Sequence, residues 1–596
     1  MAPFPESKIK LDYPLYGCDF DPQDSNRLFV GGGGGASKTG VGNKISILDT
    51  SSLETLTSAG EVALSRDEDN VQNLVTGQHK GKATLLYAGI NSSPESQKNG
   101  KNEHFRTFSV EPPSKAQSML GPRISEVSRT QLFTTKSPDT YQRLLRLSQP
   151  FPGAPQLGAV ATGIASEAQI ALFDVAVDKD VAPKARGVLN IKKEAVDMDV
   201  IQTGEDKFEL IYCTDYDVYS VDIPKTGNVK SEPKQIYTIP HDDSSGQRPA
   251  LRCIRYLAPH FAVAVANLPK AAGIVLFGFR LPKPDKPDAS TARIAVNAKL
   301  PKRQGAKATG LAVANLSPSG APGTKQGDAQ FVIAVVTSEL AIHLYTLDYQ
   351  VLREVDLLAN LLPLHTLKGA HAAMITNMCF SHFTPPKSGT GRVQHLKLAS
   401  TSVSNTCVVQ SIPLKKYIDA STPVKRGGPP RQPRYVVAMK SRSPSMKGLL
   451  LFIAAVVVLL GILLQGVLEV KGLAEPVVAG HAWLPSSIHA VPAGVLPSHS
   501  GFLAKLLHEK AHATARDDKN NIVVLDAGDD VEITAQHDEL VHGPAKRWED
   551  LNPEQKEAWK EKLKKGGHWS AEMGETVFKS ILFAEMAGVV GAIVGG

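Results

Sequence analysis

One long apolar segment restricts most strongly what this chain can fold into. The 21 residues from Gly448 to Leu468 contain a single clearly polar side chain, that of Gln465. As a helix rising ~1.5 Å per residue, they would span about 31 Å, which matches the hydrocarbon core of a bilayer. A helix also pairs every backbone N–H and C=O within the segment, as lipid requires. We therefore predict one transmembrane helix at residues 448–468, because the alternative, a buried core helix, is usually shorter.

The residues that precede this segment predict its orientation. Residues 421–447 contain no Asp or Glu but seven basic residues, namely Lys425, Arg426, Arg431, Arg434, Lys440, Arg442 and Lys447. Basic residues beside a membrane helix tend to remain on the cytoplasmic side, so we expect a cytosolic amino-terminal part. The first residues, MAPFPESKIK, lack the apolar core of a signal peptide, and we expect the internal helix to act as the targeting signal.

Charge divides the chain at the same point. From Gly472 onward there are 12 Lys and Arg against 18 Asp and Glu, a net charge near −6. The overall net charge is +7, so the part before Gly472 carries about +13. About half of that excess lies in residues 421–447, where it either attracts anionic lipid headgroups or only sets the topology. We do not interpret it as a nucleic-acid-binding patch.

The cysteines argue against a disulfide framework or a zinc site. All five precede the apolar segment and none has CxxC spacing: Cys18, Cys213, Cys253, Cys379 and Cys407. We expect them to be small buried residues.

Short strand-like runs recur between Lys8 and Leu414. They are rich in Val, Ile, Leu and Tyr, are separated by turn-forming residues, and fall into seven groups that end near Asp49, Val110, Val175, Ile223, Phe279, Leu347 and Leu414. One small sheet cannot bury both of its faces, whereas sheets packed radially bury them on each other. We predict an all-β fold, a seven-bladed divergent WD-repeat-like β-propeller at residues 1–416, closed by a strand within Lys8 to Tyr13.

The predicted blades depart from the regular WD pattern. Their spacing exceeds the ~40 to 45 residues of a WD repeat, so several blades must carry long loops. All four tryptophans follow the apolar segment, so the Trp-Asp signature is absent from the propeller. The segment LKGAHAAMITNMCFS around His371 is like a WD-repeat opening, and we expect His371 to bond within its own blade.

Two further regions complete the predicted organisation. Residues 417–447 are rich in proline and basic residues, and predict an extended, mobile linker. Residues 469–596 form a region beyond the membrane in which Asn552 and Pro553 start a helix that ends near Lys565. We expect the rest of that region to be loosely ordered.

A glycine-rich loop is the strongest local motif. In RLFVGGGGGASKTGVGNKISILD, residues 27–49, one strand enters the loop and another leaves it. Gly31 to Gly35 allow backbone conformations with φ > 0 and leave amides and carbonyls unshielded. Such a loop can bind an ion or press closely against a partner.

A phosphate-binding loop is the competing hypothesis for the same residues. The pattern GxxxxGK[ST] is nearly matched by Gly32 to Thr39, but Ser37 stands where glycine is required. A phosphate-binding loop must also open a helix, whereas NKISILD predicts a strand. We therefore expect no nucleotide to be bound directly here.

Two short motifs lie beyond the apolar segment. HEKAH, at His508 to His512, matches the H-E-x-x-H of zinc metalloproteases, with Glu509 as the group that would activate water. A charged Lys510 inside the motif and the lack of a compelling third ligand favour a solvated amphipathic helix instead. HDEL, at His537 to Leu540, is internal and cannot be read as a carboxyl-terminal retention signal.

The order of these features resembles a known family. A near-terminal strand, the GGGG…SKTGV.NK loop, a divergent propeller, a basic linker, one membrane helix and a far-side tail are similar to the Sec-twelve type exchange factors, related to prolactin regulatory element-binding protein. The resemblance covers residues 1 to about 468. It implies residence in the endoplasmic reticulum membrane with a lumenal carboxyl terminus, and release of GDP from a Sar-type small GTPase that then recruits COPII coat components, without covalent chemistry.

The resemblance also assigns roles within the loop. It implies that residues 32–43 form the exchange loop, in which Lys38, Thr39, Gly40, Val41 and Asn43 act on the GTPase. It further implies that the loop orders around a potassium ion, with Gly32, Gly33, Gly34, Gly35, Ala36 and Ser37 surrounding it and with the Asn43 side chain and the carbonyls of Gly33, Gly34 and Ser37 as ligands. Two other hypotheses remain open: a membrane-tethered propeller scaffold without exchange activity, and a lumenal zinc hydrolase built on HEKAH.

Overall fold

The structure divides into two compact units, residues 1–440 and 441–596, which are described separately. The computed structural model describes the following residues: 4–37, 40–113, 121–135, 137, 139–175, 181–224, 232–241, 247–282, 290–301, 305–352, 355–386, 393–417, 434–437, 446–470, 474–475, 477–484, 523–526, 531–534, 544–565, 578 and 581–585.

Seven antiparallel sheets make up the first unit, and we call them blades 1 to 7. Each of blades 1 to 6 is built from four consecutive strands, whereas blade 7 takes strands from both ends of the unit. The strands, in chain order, are β1 (Glu6–Lys10); β2 (Leu15–Phe20), β3 (Arg27–Gly32), β4 (Lys44–Asp49) and β5 (Thr57–Ala63) of blade 1; β6 (Asn73–Lys80), β7 (Ala83–Gly89), β8 (Phe105–Glu111) and β9 (Arg123–Thr130) of blade 2; β10 (Tyr141–Leu147), β11 (Leu157–Gly163), β12 (Gln169–Asp174) and β13 (Lys184–Asn190) of blade 3; β14 (Asp197–Gln202), β15 (Phe208–Cys213), β16 (Asp217–Ile223) and β17 (Lys234–Thr238) of blade 4; β18 (Ala250–Ala258), β19 (Phe261–Asn267), β20 (Ile274–Arg280) and β21 (Arg293–Lys299) of blade 5; β22 (Ala308–Asn315), β23 (Ala329–Thr337), β24 (Ala341–Leu352) and β25 (Val355–Lys368) of blade 6; and β26 (Ile375–Phe380), β27 (Gln394–Ser402), β28 (Thr406–Tyr417) and β29 (Arg434–Val436) of blade 7.

The first strands of the blades contact each other in a ring. The order of contacts is β2, β6, β10, β14, β18, β22, β26 and back to β2. Blade 7 is completed by β1, which pairs with β28 from Glu6 opposite Gln410 to Lys10 opposite Thr406. This pairing confirms a closing strand near the amino terminus, but the strand runs from Glu6 to Lys10, so only Lys8 to Lys10 of the predicted segment Lys8 to Tyr13 belong to it. The arrangement is consistent with the blades of a WD40-type β-propeller, as the sequence predicted.

Carboxylates on the inner strands join neighbouring blades. Asp19 of β2 accepts a hydrogen bond from the backbone N–H of Thr76 on β6 at 2.8 Å. Asp199 of β14 accepts one from Tyr256 on β18, also at 2.8 Å. These bonds use N–H groups that face the centre of the ring and have no strand partner there, which is how a buried polar backbone group avoids its desolvation cost.

His371 bonds within its own blade, as expected. It is buried, and its two ring nitrogens lie 2.7 Å from Thr406 Oγ1 and 2.8 Å from Ser400 Oγ. Four of the cysteines are buried as expected, namely Cys18, Cys213, Cys253 and Cys407, whereas Cys379 is partly exposed; all five are free.

Part of the predicted linker belongs to the first unit. Residues 434–437 are the only described residues between 418 and 445, and β29 within them pairs with Lys415 to Tyr417 of β28. Tyr435 and Val437 are buried in the hydrophobic cluster between blades 6 and 7. This short segment is therefore a strand anchored to the blades, in contrast to the expectation of an extended, mobile chain.

The second unit begins with the apolar helix. This helix, α2 (Met446–Val470), contains Leu450–Val470, a stretch long and apolar enough to cross a membrane. The preceding helix of the chain, α1 (Pro94–Lys98), belongs to blade 2 of the first unit. Beyond its end, a short helix α3 (Gly480–Trp483) packs against Gly466. The Glu469 carboxylate accepts hydrogen bonds from the backbone N–H groups of Val477 and Val478, both at 2.7 Å, and so fixes this turn.

A small sheet and one helix follow in the second unit. The sheet has the order β31 (Val531–Thr534), β30 (Val523–Asp526), β33 (Leu582–Glu585), β32 (Lys546–Arg547), and α4 (Pro553–Lys565) covers it with Trp559 and Leu563. Asn552 caps α4 by accepting from Gln555 N–H at 2.8 Å, which confirms the predicted start. These residues were expected to be loosely ordered, but they form a sheet with its own hydrophobic core.

Candidate functional site

The glycine-rich loop connects the second and third strands of blade 1. β3 ends at Gly32 and β4 begins at Lys44, so the loop comprises residues 33–43, of which 38 and 39 lie outside the described residues. A strand follows the loop, as predicted. The loop therefore lacks the helix N-terminus on which a phosphate-binding loop holds its phosphates.

Strand pairing shows what surrounds the loop. Gly32 lies opposite Leu15, so the loop emerges where the chain enters β2. The connection from β5 to β6, residues 64–72, emerges at the same end of the blade, because Lys44 at the start of β4 lies opposite Ala63 at the end of β5. We call this end of the propeller the loop face. Segments separated by about 30 residues in the chain thus meet there.

Two glycines allow the base of the loop to approach the chain before β2. A Cβ atom on Gly32 would lie 1.9 Å from the carbonyl oxygen of Pro14, and Gly33 has φ +139°. The Gly33 N–H donates to the same Pro14 oxygen at 2.9 Å. Glycine is required here because any side chain would displace the backbone that closes the loop.

Asn43 organises the rest of the loop. Its side chain is 1% exposed. Its Oδ1 accepts the Gly35 N–H at 2.9 Å, and its Nδ2 donates to the carbonyl oxygens of Ser65 at 2.9 Å and Glu68 at 3.0 Å. One amide thereby uses both of its N–H donors and one acceptor lone pair of its oxygen to tie the glycine-rich loop to residues 64–72.

A second asparagine, Asn70, was not anticipated from the sequence. Gly35 has φ +72°, and a Cβ built on it would lie 3.1 Å from Asp69 Oδ1 and 3.7 Å from Asn70 Nδ2. Asn70 Oδ1 is buried and has no hydrogen-bond partner among the described residues. Unsatisfied buried oxygens are uncommon and call for a cation, a water molecule or another donor. The only signal in the sequence is the polar run SRDEDN directly after β5.

The remaining predicted residues occupy the outer part of the loop. Ser37 is exposed and its hydroxyl donates to the Gly34 carbonyl oxygen at 2.6 Å. Gly40 is exposed with φ +78°. Half-buried Val41 packs against the hydrophobic cluster between blades 1 and 7, which also contains Tyr13 and Leu15. Ala36 is partly exposed, and Lys38 and Thr39 lie outside the described residues.

Blade 2 holds the neighbouring segment in place. Arg106 on β8 is 1% exposed and pairs with Glu68 Oε1 at 2.8 Å and Glu126 Oε1 at 3.0 Å. Arg129 on β9 contacts the same two carboxylates at 2.7 and 2.8 Å. Because the Glu68 carbonyl oxygen also accepts a hydrogen bond from the Asn43 amide, the loop is coupled to a partly buried ion-pair network in the next blade.

Lys44, the first residue after the loop, forms ion pairs with two carboxylates. Lys44 Nζ lies 2.8 Å from Asp12 Oδ2 and 3.2 Å from Glu61 Oε1. The hydrogen bond to Lys44 lowers the pKa of Asp12, and the same bond raises the pKa of Lys44. The pair is solvent-exposed, so it orients the chain before β2 rather than storing much energy.

The other sequence motifs lie elsewhere. HEKAH (His508 to His512) and HDEL (His537 to Leu540) both fall outside the described residues. Within the described part of the chain, no group of three or more His, Cys, Asp or Glu side chains could hold a metal ion.

Comparisons with known proteins give only distant likenesses. No protein-family profile matches this chain, and no curated protein matches it. Among solved structures, it is similar to Saccharomyces cerevisiae Sqt1, with a TM-score of 0.41 and 12% identity over 69% of this chain and 100% of that chain. It is also similar to Chaetomium thermophilum Sqt1, at 0.37 and 11% over 67% and 95%, and to the S. cerevisiae core factor, at 0.40 and 8% over 86% and 73%. With TM-scores below 0.5, none of these likenesses carries an argument about function. Membership of the exchange-factor family therefore stays a prediction.

Proposed function

We propose that this protein is a guanine nucleotide exchange factor that releases GDP from a Sar-type small GTPase at the endoplasmic reticulum membrane and so starts COPII coat assembly. The observation that carries the proposal is the glycine-rich loop of blade 1, held at its base by Asn43 and exposed at its outer residues. The seven-bladed propeller is the platform for the loop, and the apolar helix α2 is the anchor.

Exchange requires little chemistry, and the loop suits it. An exchange factor binds the nucleotide-free GTPase more tightly than the GDP-bound form, and by reciprocity the factor weakens GDP binding by the same ratio. A loop pressed into the switch region would disturb the phosphate and magnesium contacts without an acid, base or nucleophile. Firm attachment at Asn43 supports this role, because a loop that yields on contact cannot transmit the binding energy.

The oxygens of the loop and of the neighbouring segment, residues 64–72, support a potassium ion. The oxygens available are neutral, namely the side-chain oxygens of Asn43 and Asn70 and the carbonyls of Gly33, Gly34 and Ser37, and the Asn70 oxygen has no other described partner. Neutral carbonyl-type oxygens are the ligands with which proteins replace the hydration shell of potassium. A bound potassium ion would supply positive charge that gathers these oxygens and stiffens the loop.

The membrane helix supports the proposed location. Leu450–Val470 is long and apolar enough to span a bilayer, and the basic residues before it favour a cytosolic propeller and a lumenal carboxyl terminus. A tethered exchange factor would load the GTPase at the membrane on which the coat assembles.

A GDP-release assay tests the proposal. The full chain, reconstituted in liposomes, is mixed with a Sar-type GTPase loaded with fluorescent GDP. We expect release at least tenfold faster than without the protein. The double variant K38A/T39A, which changes two residues that the resemblance assigns to the exchange loop, should abolish most of that acceleration, whereas N297A on the outer strand of blade 5 should leave it unchanged. Release that never exceeds the rate of the GTPase alone would rule the proposal out.

A cation exchange tests the role of potassium. We expect faster GDP release in potassium chloride than in tetramethylammonium chloride at equal ionic strength, because the organic cation is too large for the oxygens of the loop. Equal rates in the two salts would exclude an ordering cation and leave the exchange activity itself untouched.

A second candidate is a membrane-tethered propeller scaffold without exchange activity. The blades by themselves indicate only a WD40-type fold, and such a fold is compatible with a scaffold. The scaffold hypothesis predicts GTPase or coat-protein binding with no effect on GDP release. The zinc hydrolase built on HEKAH is a third, and zinc analysis of the purified full chain tests it directly.

A further inference from the structure

An unusually long hairpin projects from blade 6 on the face opposite the loop face. β24 and β25 have 12 and 14 residues, whereas the third and fourth strands of blades 1 to 5 have 5 to 8. β23 pairs with β24 only as far as Tyr349, so the last three residues of β24 pair with β25 alone. The described residues at the tip, Leu352 and Val355, are apolar and are 57% and 52% exposed.

The base of this hairpin is joined to β29. Asp328 accepts a hydrogen bond from the Val351 N–H at 2.8 Å through Oδ1, and its Oδ2 lies 3.3 Å from an Arg434 guanidinium nitrogen. The Val437 N–H donates to the Gln330 side chain at 2.8 Å. The hairpin and the strand that leads toward the membrane helix therefore belong to one patch of surface.

Blade 7 adds basic and apolar side chains to the same patch. β28 begins beside Lys10 on the loop face, so its end lies on the opposite face. There Lys415 and Lys416 are exposed, and Tyr417 is 45% exposed with the Arg434 guanidinium 5.6 Å from its ring. Val393, directly before β27, is 63% exposed at the same end.

The length of the connecting chain restricts what this patch can meet. Only eight residues, 438–445, separate Val437 from the first residue of α2, Met446. At ~3.3 to 3.6 Å per residue, nine peptide steps span at most about 32 Å. This length limits only the distance from Val437 to Met446, and it keeps the propeller near enough to a bilayer crossed by α2 for a surface beside β29 to reach that bilayer.

We propose that this patch, formed by the blade 6 hairpin tip and the end of β28, docks on the anionic phospholipid surface of the bilayer that anchors α2. The proposal rests on the membrane anchoring given under the proposed function and not on exchange activity. Leu352, Val355 and Val393 would enter the interfacial layer, and Lys415 and Lys416 would hold lipid phosphates.

The composition of the patch favours lipid over a protein partner. Exposed aliphatic tips bordered by lysines and a tyrosine match the layered polarity of the interface, in which aliphatic groups lie deepest and aromatic and ammonium groups lie among the headgroups. Docking in this way would hold the glycine-rich loop on the side of the propeller away from the bilayer, open to a GTPase arriving from solution.

Hydrogen–deuterium exchange on the anchored protein tests the proposal. The full chain is reconstituted in nanodiscs of phosphatidylcholine alone or mixed with phosphatidylserine, and amide exchange is followed for peptides that contain residues 350–357 and 411–417. We expect exchange at the hairpin tip to be at least threefold slower with phosphatidylserine than without it. High salt should remove most of that difference, because it screens the lysines.

Paired variants identify the side chains responsible. L352S/V355S and K415E/K416E should each abolish the protection by phosphatidylserine. M374S is the matched control, because Met374 is 56% exposed on the loop face and should leave the protection unchanged. Unchanged protection in both double variants, or equal exchange in the two lipid mixtures, would overturn the proposal. Protection that appears only when a cytosolic protein fraction is added would overturn it in favour of a protein-docking surface.

The readout separates this inference from the proposed function. Failure of the chain to enter nanodiscs would remove the anchoring on which both proposals depend. Normal GDP release without tip protection contradicts docking alone, and tip protection without GDP release contradicts exchange alone.

Discussion

The side-chain oxygen of Asn43 lies 2.9 Å from the backbone nitrogen of Gly35 and accepts its hydrogen bond, while the amide nitrogen of Asn43 donates to Ser65 and Glu68. These three bonds are buried and join the glycine-rich loop to residues 64–72, whereas the Gly33 N–H joins the base of the loop to Pro14.

We expect N43A to lower the free energy of unfolding by about 2 to 4 kcal/mol, since it leaves one donor and two carbonyl oxygens without partners at ~1 kcal/mol or more each. Chemical denaturation measures this change. Amide exchange within residues 64–72 should rise at the same time. N297A, an exposed asparagine in blade 5, should stay within about 0.5 kcal/mol of the wild type. A similarly small effect of N43A would mean that the loop is held in another way.

Two glycines of the loop should respond oppositely to alanine. In G32A the new methyl group would meet the Pro14 carbonyl oxygen, a backbone atom that cannot rotate away, so we expect a loss of at least about 2 kcal/mol. In G42A no heavy atom lies within 4 Å of the new methyl group, and we expect a change within about 0.5 kcal/mol. Thermal or urea denaturation of the two variants makes the comparison. Equal destabilisation would contradict the close approach at Gly32.

We expect protonation of buried His104 to lower the stability of the protein in mild acid. Its Nε2 faces the N–H groups of Leu132 and Phe133, at 3.2 and 3.3 Å, so the proton of the neutral ring belongs on Nδ1, 2.9 Å from Gln142 Oε1. Burial lowers the pKa of His104 to about 4. The unfolded chain, with an ordinary pKa of about 6.5, binds the proton first as the pH falls.

The His104 contribution to stability is therefore complete above pH ~6.5 and is lost as the pH falls toward 4, a change of about 3 kcal/mol. Urea denaturation at a series of pH values between these limits measures it. H104Q should have a lower stability at neutral pH but a shallower acid dependence than the wild type. Parallel curves for the two proteins would assign the acid sensitivity to other groups, such as His371, whose pKa is also lowered to about 4 by burial and by Lys8.

We expect Lys397 to stabilise the contact between blades 7 and 1 that closes the ring. Its buried ammonium on β27 of blade 7 lies 2.7 Å from the Thr50 carbonyl oxygen, 2.7 Å from Asn26 Oδ1 and 3.2 Å from the Ser25 carbonyl oxygen, all in blade 1. K397M keeps most of the volume but leaves these oxygens without their donor. We expect a loss of about 2 to 3 kcal/mol and faster amide exchange in β1 and β28.

The control for Lys397 is K299M, which changes an exposed lysine at the end of β21. It should alter neither stability nor amide exchange. If K397M behaves in the same way, the contacts of Lys397 do not hold blades 7 and 1 together.

Much of the blade pattern can be recognised in the sequence because the second strands of the blades are buried on both faces. β7 of blade 2 is buried at all seven positions and therefore appears as a continuous apolar run. The fourth strands of blades 1 to 6 are harder to recognise, since a strand such as β21 is largely exposed and carries the polar sequence RIAVNAK. The glycine-rich loop was recognised from its composition, but Asn70 and Glu68 were not, because they reach the loop only when residues 64–72 fold back over blade 1.

By itself, the sequence determined the apolar helix, the number of blade-like groups, the closing strand near the amino terminus and the glycine-rich loop. All of these depend on local composition or on the burial of consecutive residues. Only the tertiary structure decided that Asn43 ties the loop to Ser65 and Glu68, that Tyr435 and Val437 anchor part of the proline-rich segment between blades 6 and 7, and that the blade 6 hairpin shares a surface with β29. Each of these relationships joins residues distant in the chain through hydrogen bonds and packing, which leave no periodic signal in the sequence.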